Sequence, residues 1–250
     1  MSDGPWRAGE LRGLALALVA SLVLLQLPFG GVVLYPFKLL DTWLHEMSHG
    51  LVMLVTGVGF DRMEVYRDGS GLALANHTAN AVGAGFIAAA GYMGTPLWGA
   101  LLLWVGQEVR AAKIALIVMA VLLGGTTILF ISNRFGQVAM GATAAVVLVA
   151  ALVLPGRARV LLCSFVAAQA CIGAIVDIRV LYRPSLVVNG EARGSDAHQM
   201  AMATFGTTDP WAIWVWASAW LAWSLAVLFV ALWLARRRAG ATRSPGDVPG

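Results

Sequence analysis

Residues 38–57 read KLLDTWLHEMSHGLVMLVTG, an apolar segment with two histidines and a glutamate near its centre. Its length matches the roughly 20 residues that a helix needs to cross a bilayer. On such a helix His45 and His49 lie one turn apart on one face, so both imidazoles can contact a single metal ion. Glu46 lies beside them, where a carboxylate can take a proton from water. This stretch therefore predicts a metal site within a membrane helix.

The His-Glu-x-x-His spacing is specific for this chemistry. The residue frequencies of the chain give a chance expectation of about one in eight hundred for the pattern formed by His45, Glu46 and His49. Ionisable residues in a transmembrane helix cost about 2.5–3.5 kcal/mol each and tend to be functional. The pattern favours a zinc site that activates water, with Glu46 as general base, over a chance grouping.

The overall composition indicates that lipid surrounds most of the chain. Hydrophobic residues make up 59% of its 250 residues and charged residues only 12%, with a mean hydropathy of +0.78, whereas about a quarter of the residues of soluble domains are charged. The net charge is +4, and the basic residues stand singly or in pairs between apolar segments and then as Arg236-Arg237-Arg238 near the end. This distribution is typical of membrane flanks, so we expect a lipid bilayer and no nucleic acid as partner.

The apolar runs predict an all-α polytopic membrane protein with six or seven transmembrane helices. We interpret the chain as one domain, 1–250, with a membrane region at 13–235 and a polar tail at 236–250. No cleavage site follows the first run, so we expect it to stay as a helix. The predicted helices are 13–34, 38–57, 80–105, 112–132, 136–155, 159–182 and 210–235.

Two polar segments interrupt this pattern. Residues 60–74 alternate charged and apolar side chains around Asp68-Gly69, which predicts a short β-hairpin directly after the HExxH helix. Residues 183–209 predict a loop with a short helix that begins near Ser195.

Several short motifs resemble those of the site-2 protease superfamily, and more narrowly its compact branch of peptidase-like membrane proteins from bacteria, plants and fungi. The resemblance spans roughly residues 35 to 225 and implies an intramembrane zinc metalloprotease of membrane proteins or peptides. It also implies an integral membrane protein, in the bacterial plasma membrane. The matching segments are Leu44-His45-Glu46-Met47-Ser48-His49-Gly50, Thr56-Gly57, the hairpin around Asp68-Gly69, Ala89-Ala90-Gly91-Tyr92-Met93-Gly94, Asn133-Arg134-Phe135-Gly136, Ser195-Asp196-Ala197 and a Trp-rich last helix.

The third metal ligand stays open between two aspartates. In the resembled superfamily an aspartate within Leu-Asp-Gly completes the zinc site, and this chain has no such sequence. At 1.5 Å per residue, Asp177 near the end of the sixth predicted helix lies within about 5 Å of the depth of His49. Asp196 matches the resembled family in the following loop, although Ser195-Asp196 is also typical of a helix start. We rank Asp177 slightly above Asp196 as the third metal ligand and keep both. Only one of them needs to bind the metal, and the other can orient a histidine.

The region after the HExxH helix is predicted to contact substrate. Asn76 and His77, between the hairpin and the third helix, are candidate substrate-binding residues, with a surface histidine as the simpler interpretation of His77. The hairpin is expected to offer an edge strand to an unwound substrate helix; a plain surface turn is the alternative. Four glycines of the third helix predict close helix packing: Gly83, Gly85, Gly91 and Gly94.

Two other functions compete with proteolysis. A non-proteolytic zinc-binding scaffold or regulator would keep the histidines but would not need Glu46 as a base. A transporter would place several charges along a path through interrupted helices, whereas the polar residues here concentrate on one site.

Overall fold

The computed structural model describes residues 19, 21–24, 26–183 and 186–241. Within these residues the chain forms a helical bundle with two small antiparallel sheets. The helices are α1 Gly30–Val55, α2 Ala81–Val105, α3 Val109–Leu129, α4 Arg134–Val153, α5 Gly156–Leu181, α6 Asp196–Phe205 and α7 Pro210–Ala241, and the strands are β1 Phe60–Val65, β2 Gly71–Ala75, β3 Leu186–Val188 and β4 Glu191–Arg193.

Five of the described helices are long and apolar enough to cross a membrane, namely α2, α3, α4, α5 and residues Pro210–Leu234 of α7. This agrees with a polytopic, all-α membrane protein. The number is smaller than the six or seven predicted crossings. The first part of the predicted helix 13–34 lies outside the described residues. Helix α1, which carries Lys38, Asp41 and Glu46 within its apolar sequence, is not among the five.

The predicted break between residues 34 and 38 is wrong. A turn at residues 26–29 ends the preceding segment, and α1 then begins at Gly30 and continues through Pro36 to Val55. Pro36 is the seventh residue of this helix, and its missing backbone N–H removes one intrahelical hydrogen bond. The HExxH helix is therefore 26 residues long, and the sequence before residue 38 belongs to it.

Helix α2 lies at the centre of the bundle, where it packs against α1, α5, α6 and α7. Its glycines allow close approach of side chains from neighbouring helices. A Cβ atom on Gly94 would overlap Ser48 of α1, and one on Gly99 would be 2.6 Å from the Cys171 Sγ of α5. The predicted close packing of glycines is thus confirmed at Gly94.

The predicted hairpin forms and is anchored to α1. Strands β1 and β2 pair with Met63 opposite Ala73 and Val65 opposite Gly71. Thr42 donates a hydrogen bond to the Gly69 carbonyl oxygen (2.7 Å), and Gly69 has a φ of +80° in the turn, a conformation that glycine adopts at little cost. The turn therefore lies directly over the metal-motif helix.

The junction between α3 and α4 closes the outer edge of β1. The Met63 N–H donates to the Phe130 carbonyl oxygen (2.8 Å), and the Ser132 N–H donates to the Met63 carbonyl oxygen (3.1 Å). Asn133 accepts from the Val65 N–H (3.1 Å) and donates to the Val65 carbonyl oxygen (2.6 Å). The hairpin is thereby held between α1 and the α3–α4 junction.

The segment 183–209 contains more structure than the predicted loop. Strands β3 and β4 form a second hairpin, and the predicted short helix is present as α6. The hairpin turn places Asn189 at a φ of +50° and Gly190 at +81°, and Asn is one of the few side chains that tolerate that region. The Asn189 N–H donates to Asp68 (3.2 Å), so the tips of the two hairpins contact each other.

Candidate metal centre

His45 and His49 lie one turn apart on α1, as the spacing predicts, and their ring centroids are 4.8 Å apart. His49 is buried, whereas the His45 side chain is 20% exposed. The His49 Nδ1 lies 2.6 Å from the Ile87 carbonyl oxygen of α2. Because a carbonyl can only accept, Nδ1 carries the proton, and the lone pair of Nε2 is left for a metal.

Asp196, the first residue of α6, supplies a third donor atom. Its Oδ2 lies 3.1 Å from the His45 Nε2 and 3.3 Å from the His49 Nε2. Burial alone would raise the pKa of this carboxyl, but His49 and His45 hold it well below its usual range. Asp196, His45 and His49 form the group of potential metal ligands found among the described residues.

The start of α6 fixes the position of Asp196. Ser195 precedes the helix and exchanges hydrogen bonds with His198: its N–H donates to the His198 Nδ1 (3.2 Å), and its hydroxyl lies 2.8 Å from the same atom. Such reciprocal capping satisfies backbone groups at a helix N-terminus. His198 therefore helps to hold the loop and lies outside the ligand group.

The space between the three donors fits a metal ion. A Cβ atom on Gly91 of α2 would be 2.5 Å from the His49 Nε2 and closer still to the His45 Nε2. Zinc lies about 2.0–2.1 Å from imidazole nitrogens, so Gly91 leaves space where an ion would be held. Two neutral nitrogens and one carboxylate oxygen also match the three protein ligands of catalytic zinc sites, which keep a fourth position open.

Glu46 lies beside the ligand group and against the hairpin. It is buried, at 6% exposure, and its Oε1 would be 2.7 Å from a Cβ atom on Gly71. Glycine at this position of β2 therefore lets the strand approach the carboxylate. A carboxylate held at this place can take a proton from a water molecule and release it to a leaving nitrogen.

A cavity of about 450 Å³ surrounds these groups. Its walls come from α1, α2, α5, the β1–β2 hairpin and the segment before α6, and they include Gly71, Leu72 and Ala73 of β2. More than half of the lining residues are polar or charged, and the apolar ones include Met53, Ile87 and Val180. The cavity therefore offers many polar groups around His45 and Glu46.

The two candidate third ligands occupy different places. Asp196 is within hydrogen-bonding distance of both histidines, whereas Asp177 lies on α5, in the wall of the same cavity and outside the ligand group. The ranking that put Asp177 first rested on membrane depth alone. Depth does not determine which face of α5 a side chain occupies, and the loop before α6 returns to α1.

Asn76 and His77 follow β2 and lie away from the ligand group. Both are exposed, and their N–H groups donate to the carbonyl oxygens of Gly59 (3.2 Å) and Val58 (3.1 Å). They extend the pairing of the hairpin and do not belong to the cavity wall. Their role in substrate binding stays a prediction.

Two residues of α2 that lie against the histidine rings, Gly91 and Tyr92, were not singled out from the sequence as functional. Gly91 was interpreted as a packing residue. The ring of Tyr92 meets the His45 ring edge to face, with centroids 4.7 Å apart. In the sequence, the only sign of these residues was a Gly-Tyr pair in an apolar helix. Their relation to the HExxH motif depends on the packing of α2 against α1.

The comparisons with known proteins agree with this geometry. A family model described as Peptidase M50B-like matches residues 14–231. Searches of curated proteins and of solved structures gave no significant match. The matched residues include α1 to α6, and thus every residue of the ligand group.

Proposed function

We propose a function from the premise that the chain belongs to the Peptidase M50B-like family, within the site-2 protease group of intramembrane metalloproteases. The proposed activity is zinc-dependent hydrolysis of peptide bonds in membrane proteins or membrane-bound peptides. The observation that carries it is the convergence of His45, His49 and Asp196 beside a buried Glu46, around a space that Gly91 leaves open.

We assign His45, His49 and Asp196 as ligands and Glu46 as general base. A zinc ion held there would act as a Lewis acid toward water and the substrate carbonyl. Glu46 takes one proton from the attacking water as its oxygen bonds to the carbonyl carbon. It then gives a proton to the amide nitrogen as the C–N bond breaks. Asp177 contributes a polar wall to the cavity, and Asn76 and His77 contact substrate beyond the hairpin.

The retained Glu46 favours an enzyme over a zinc-binding scaffold. A structural site needs ligands that close the coordination shell, and it has no use for a buried base next to an open position. Burial of a carboxylate without function costs stability. We further propose that the chain is a single metallopeptidase domain of a bacterial plasma membrane, with residues 13–235 as its membrane region.

The open edge of β2 supports strand addition by the substrate. Met63 and Val65 direct their N–H and C=O groups toward residues 130–133. In an antiparallel pair, the residues directly opposite Met63 and Val65 direct their own N–H and C=O groups to the other edge of the hairpin. Ala73 and Gly71 therefore present backbone groups on the side where Glu46 and the cavity lie, and the Ala73 N–H interacts there with the Glu46 carboxylate. An unwound segment of a substrate helix needs such partners, because lipid offers none.

Purified native protein and two variants test the activity. Native protein should bind about one zinc per chain and cleave a membrane-protein substrate. The variant His45→Ala/His49→Ala should lose both properties, because two of three ligands are gone. Glu46→Gln should keep zinc and lose cleavage, because only the base is removed.

Zinc content is measured by elemental analysis and cleavage by mass spectrometry of the products. Undiminished cleavage by Glu46→Gln would reject Glu46 as the base. Full metal content in the double histidine variant would reject the proposed site.

A further inference from the structure

The proposed mechanism gives no role to the hydroxyl group of Tyr92, which is one of the polar residues of the cavity wall. Tyr92 follows Gly91 on α2, so it lies next to the space between the histidines. The residue is buried, at 7% exposure, and it belongs to the cavity wall. Tyr92 therefore borders the cavity in which a scissile peptide bond would lie.

Aromatic contacts hold the Tyr92 ring in one orientation. Its ring meets the His45 ring edge to face, at 85°. On the other side it stacks on Trp220 of α7, with centroids 5.1 Å apart and planes 9° apart. Trp220 is itself buried, at 2% exposure. A phenol fixed in this way does not need to reorganise when a substrate binds.

The hydroxyl of Tyr92 has no hydrogen-bond partner among the described residues, which distinguishes it from the other tyrosines. Tyr35 donates to the Arg67 carbonyl oxygen (2.7 Å), Tyr66 to Glu64, and Tyr182 shares a hydrogen bond with Ser218 (2.8 Å). The Tyr92 hydroxyl is also not among the fully enclosed unpaired polar atoms of the described residues, so it keeps accessible surface that a bound group can reach. Packing alone would be served equally well by phenylalanine.

We propose that Tyr92 donates its hydroxyl hydrogen bond to the carbonyl oxygen of the scissile peptide bond. This inference rests on the proposed proteolytic function and adds a catalytic residue to it. When water attacks the carbonyl carbon, the carbonyl oxygen gains negative charge, and a hydrogen-bond donor whose position is fixed beforehand stabilises it. Tyr92 keeps its own proton, because Glu46 carries the proton from water to the leaving nitrogen.

The variant Tyr92→Phe tests the proposal, since it keeps the ring contacts and removes only the hydroxyl. We expect kcat to fall about 100-fold, as for the loss of other oxyanion donors. KM should stay within about twofold, because the interaction forms mainly in the transition state. Zinc content should be unchanged. Tyr182→Phe is the matched control, because its hydroxyl binds Ser218 outside the cavity wall, and it should behave as the native protein does.

A second measurement does not depend on turnover. A phosphinic peptide, whose tetrahedral phosphorus resembles the attacked carbonyl, should bind native protein and bind Tyr92→Phe more weakly by about the same factor as the loss of kcat. Affinity is measured by calorimetry on zinc-loaded protein in detergent. Equal affinity of the two proteins would overturn the inference.

Other outcomes separate the two proposals. If native protein binds the phosphinic peptide but cleaves no substrate, the proposed function fails, and the inference stands if Tyr92→Phe weakens that binding. If native protein cleaves substrate and Tyr92→Phe cleaves it at the native rate, the function stands and the inference fails. Loss of zinc from Tyr92→Phe in parallel with activity would assign Tyr92 to the support of His45 and would also overturn the inference.

Discussion

The helix pairs α1–α2 and α3–α4 are built largely from the same apolar residue types, yet their small residues have different uses. On α2, Gly91 lies against the two histidine rings, and a Cβ atom there would enter the ligand group. On α4, no described atom lies within 4 Å of the place where a Cβ on Gly141 would stand. Glycine is thus needed for space at Gly91 and has no such role at Gly141.

Polar residues follow the same division. The buried residues of α1 include Asp41, Thr42, Glu46, Ser48 and His49, whereas those of α4 are small or apolar. Val146 and Val153 of α4 are 68% and 75% exposed. Exposed apolar side chains are favourable toward lipid, and polar groups in a membrane face the bundle interior. Helices of similar composition therefore serve as a site in one pair and as a lipid-facing wall in the other.

Alanine at Gly91 should have the largest effect. The added methyl group would occupy the metal space, so we expect Gly91→Ala to contain almost no zinc and to show no cleavage. Gly141→Ala on α4 is the matched control and should retain zinc, activity and thermal stability. Elemental analysis and a cleavage assay measure both. Full zinc content in Gly91→Ala would show that glycine is no more necessary at position 91 of α2 than at position 141 of α4.

The next largest effect concerns the third metal ligand, for which Asp196 at the start of α6 is compared with Asp177 of transmembrane helix α5. We expect Asp196→Asn to lower zinc affinity by more than about 100-fold, because a ligand should contribute more than the 10- to 100-fold typical of its outer-shell partners. Asp177→Asn, an equal change in the wall of the same cavity, should retain zinc. Competition with a chelator measures both affinities. Loss of zinc from Asp177→Asn alone would return the ligand role to α5.

We expect the smallest effect from a change that blocks the free edge of the β1–β2 hairpin. The α3–α4 junction occupies one edge, and the other edge is open beside α1. In a Glu46→Gln background, Ala73→Pro should weaken binding of a membrane-protein substrate about fivefold, the value of one backbone hydrogen bond.

Ala73→Ser in the same background keeps the N–H and is the control for the side chain. Binding is measured by fluorescence anisotropy of a labelled substrate peptide in detergent. Unchanged affinity in both variants would mean that substrate enters between helices without strand addition.

Much of this architecture could be predicted from short stretches of sequence. Apolar runs of about 20 residues locate the helices, and the Asp68-Gly69 turn between alternating residues locates the hairpin. The predicted start of α1 was wrong because the turn at residues 26–29 contains apolar residues, so the hydropathy pattern does not mark this turn. The β3–β4 hairpin was missed because its strands have only three residues each, too few to show an alternation.

The amino-acid sequence by itself determined the helical membrane fold and the grouping of His45, Glu46 and His49 on one helix, because these depend on local hydropathy and on the period of a helix. Only the tertiary structure decided which aspartate meets the histidines, that Gly91 borders the metal space, and that the Tyr92 hydroxyl faces the cavity without a partner. His45 and Asp196 are 151 positions apart in the chain. Contacts at that separation depend on how α1, α2 and the loop before α6 pack together, and local patterns carry no record of that packing.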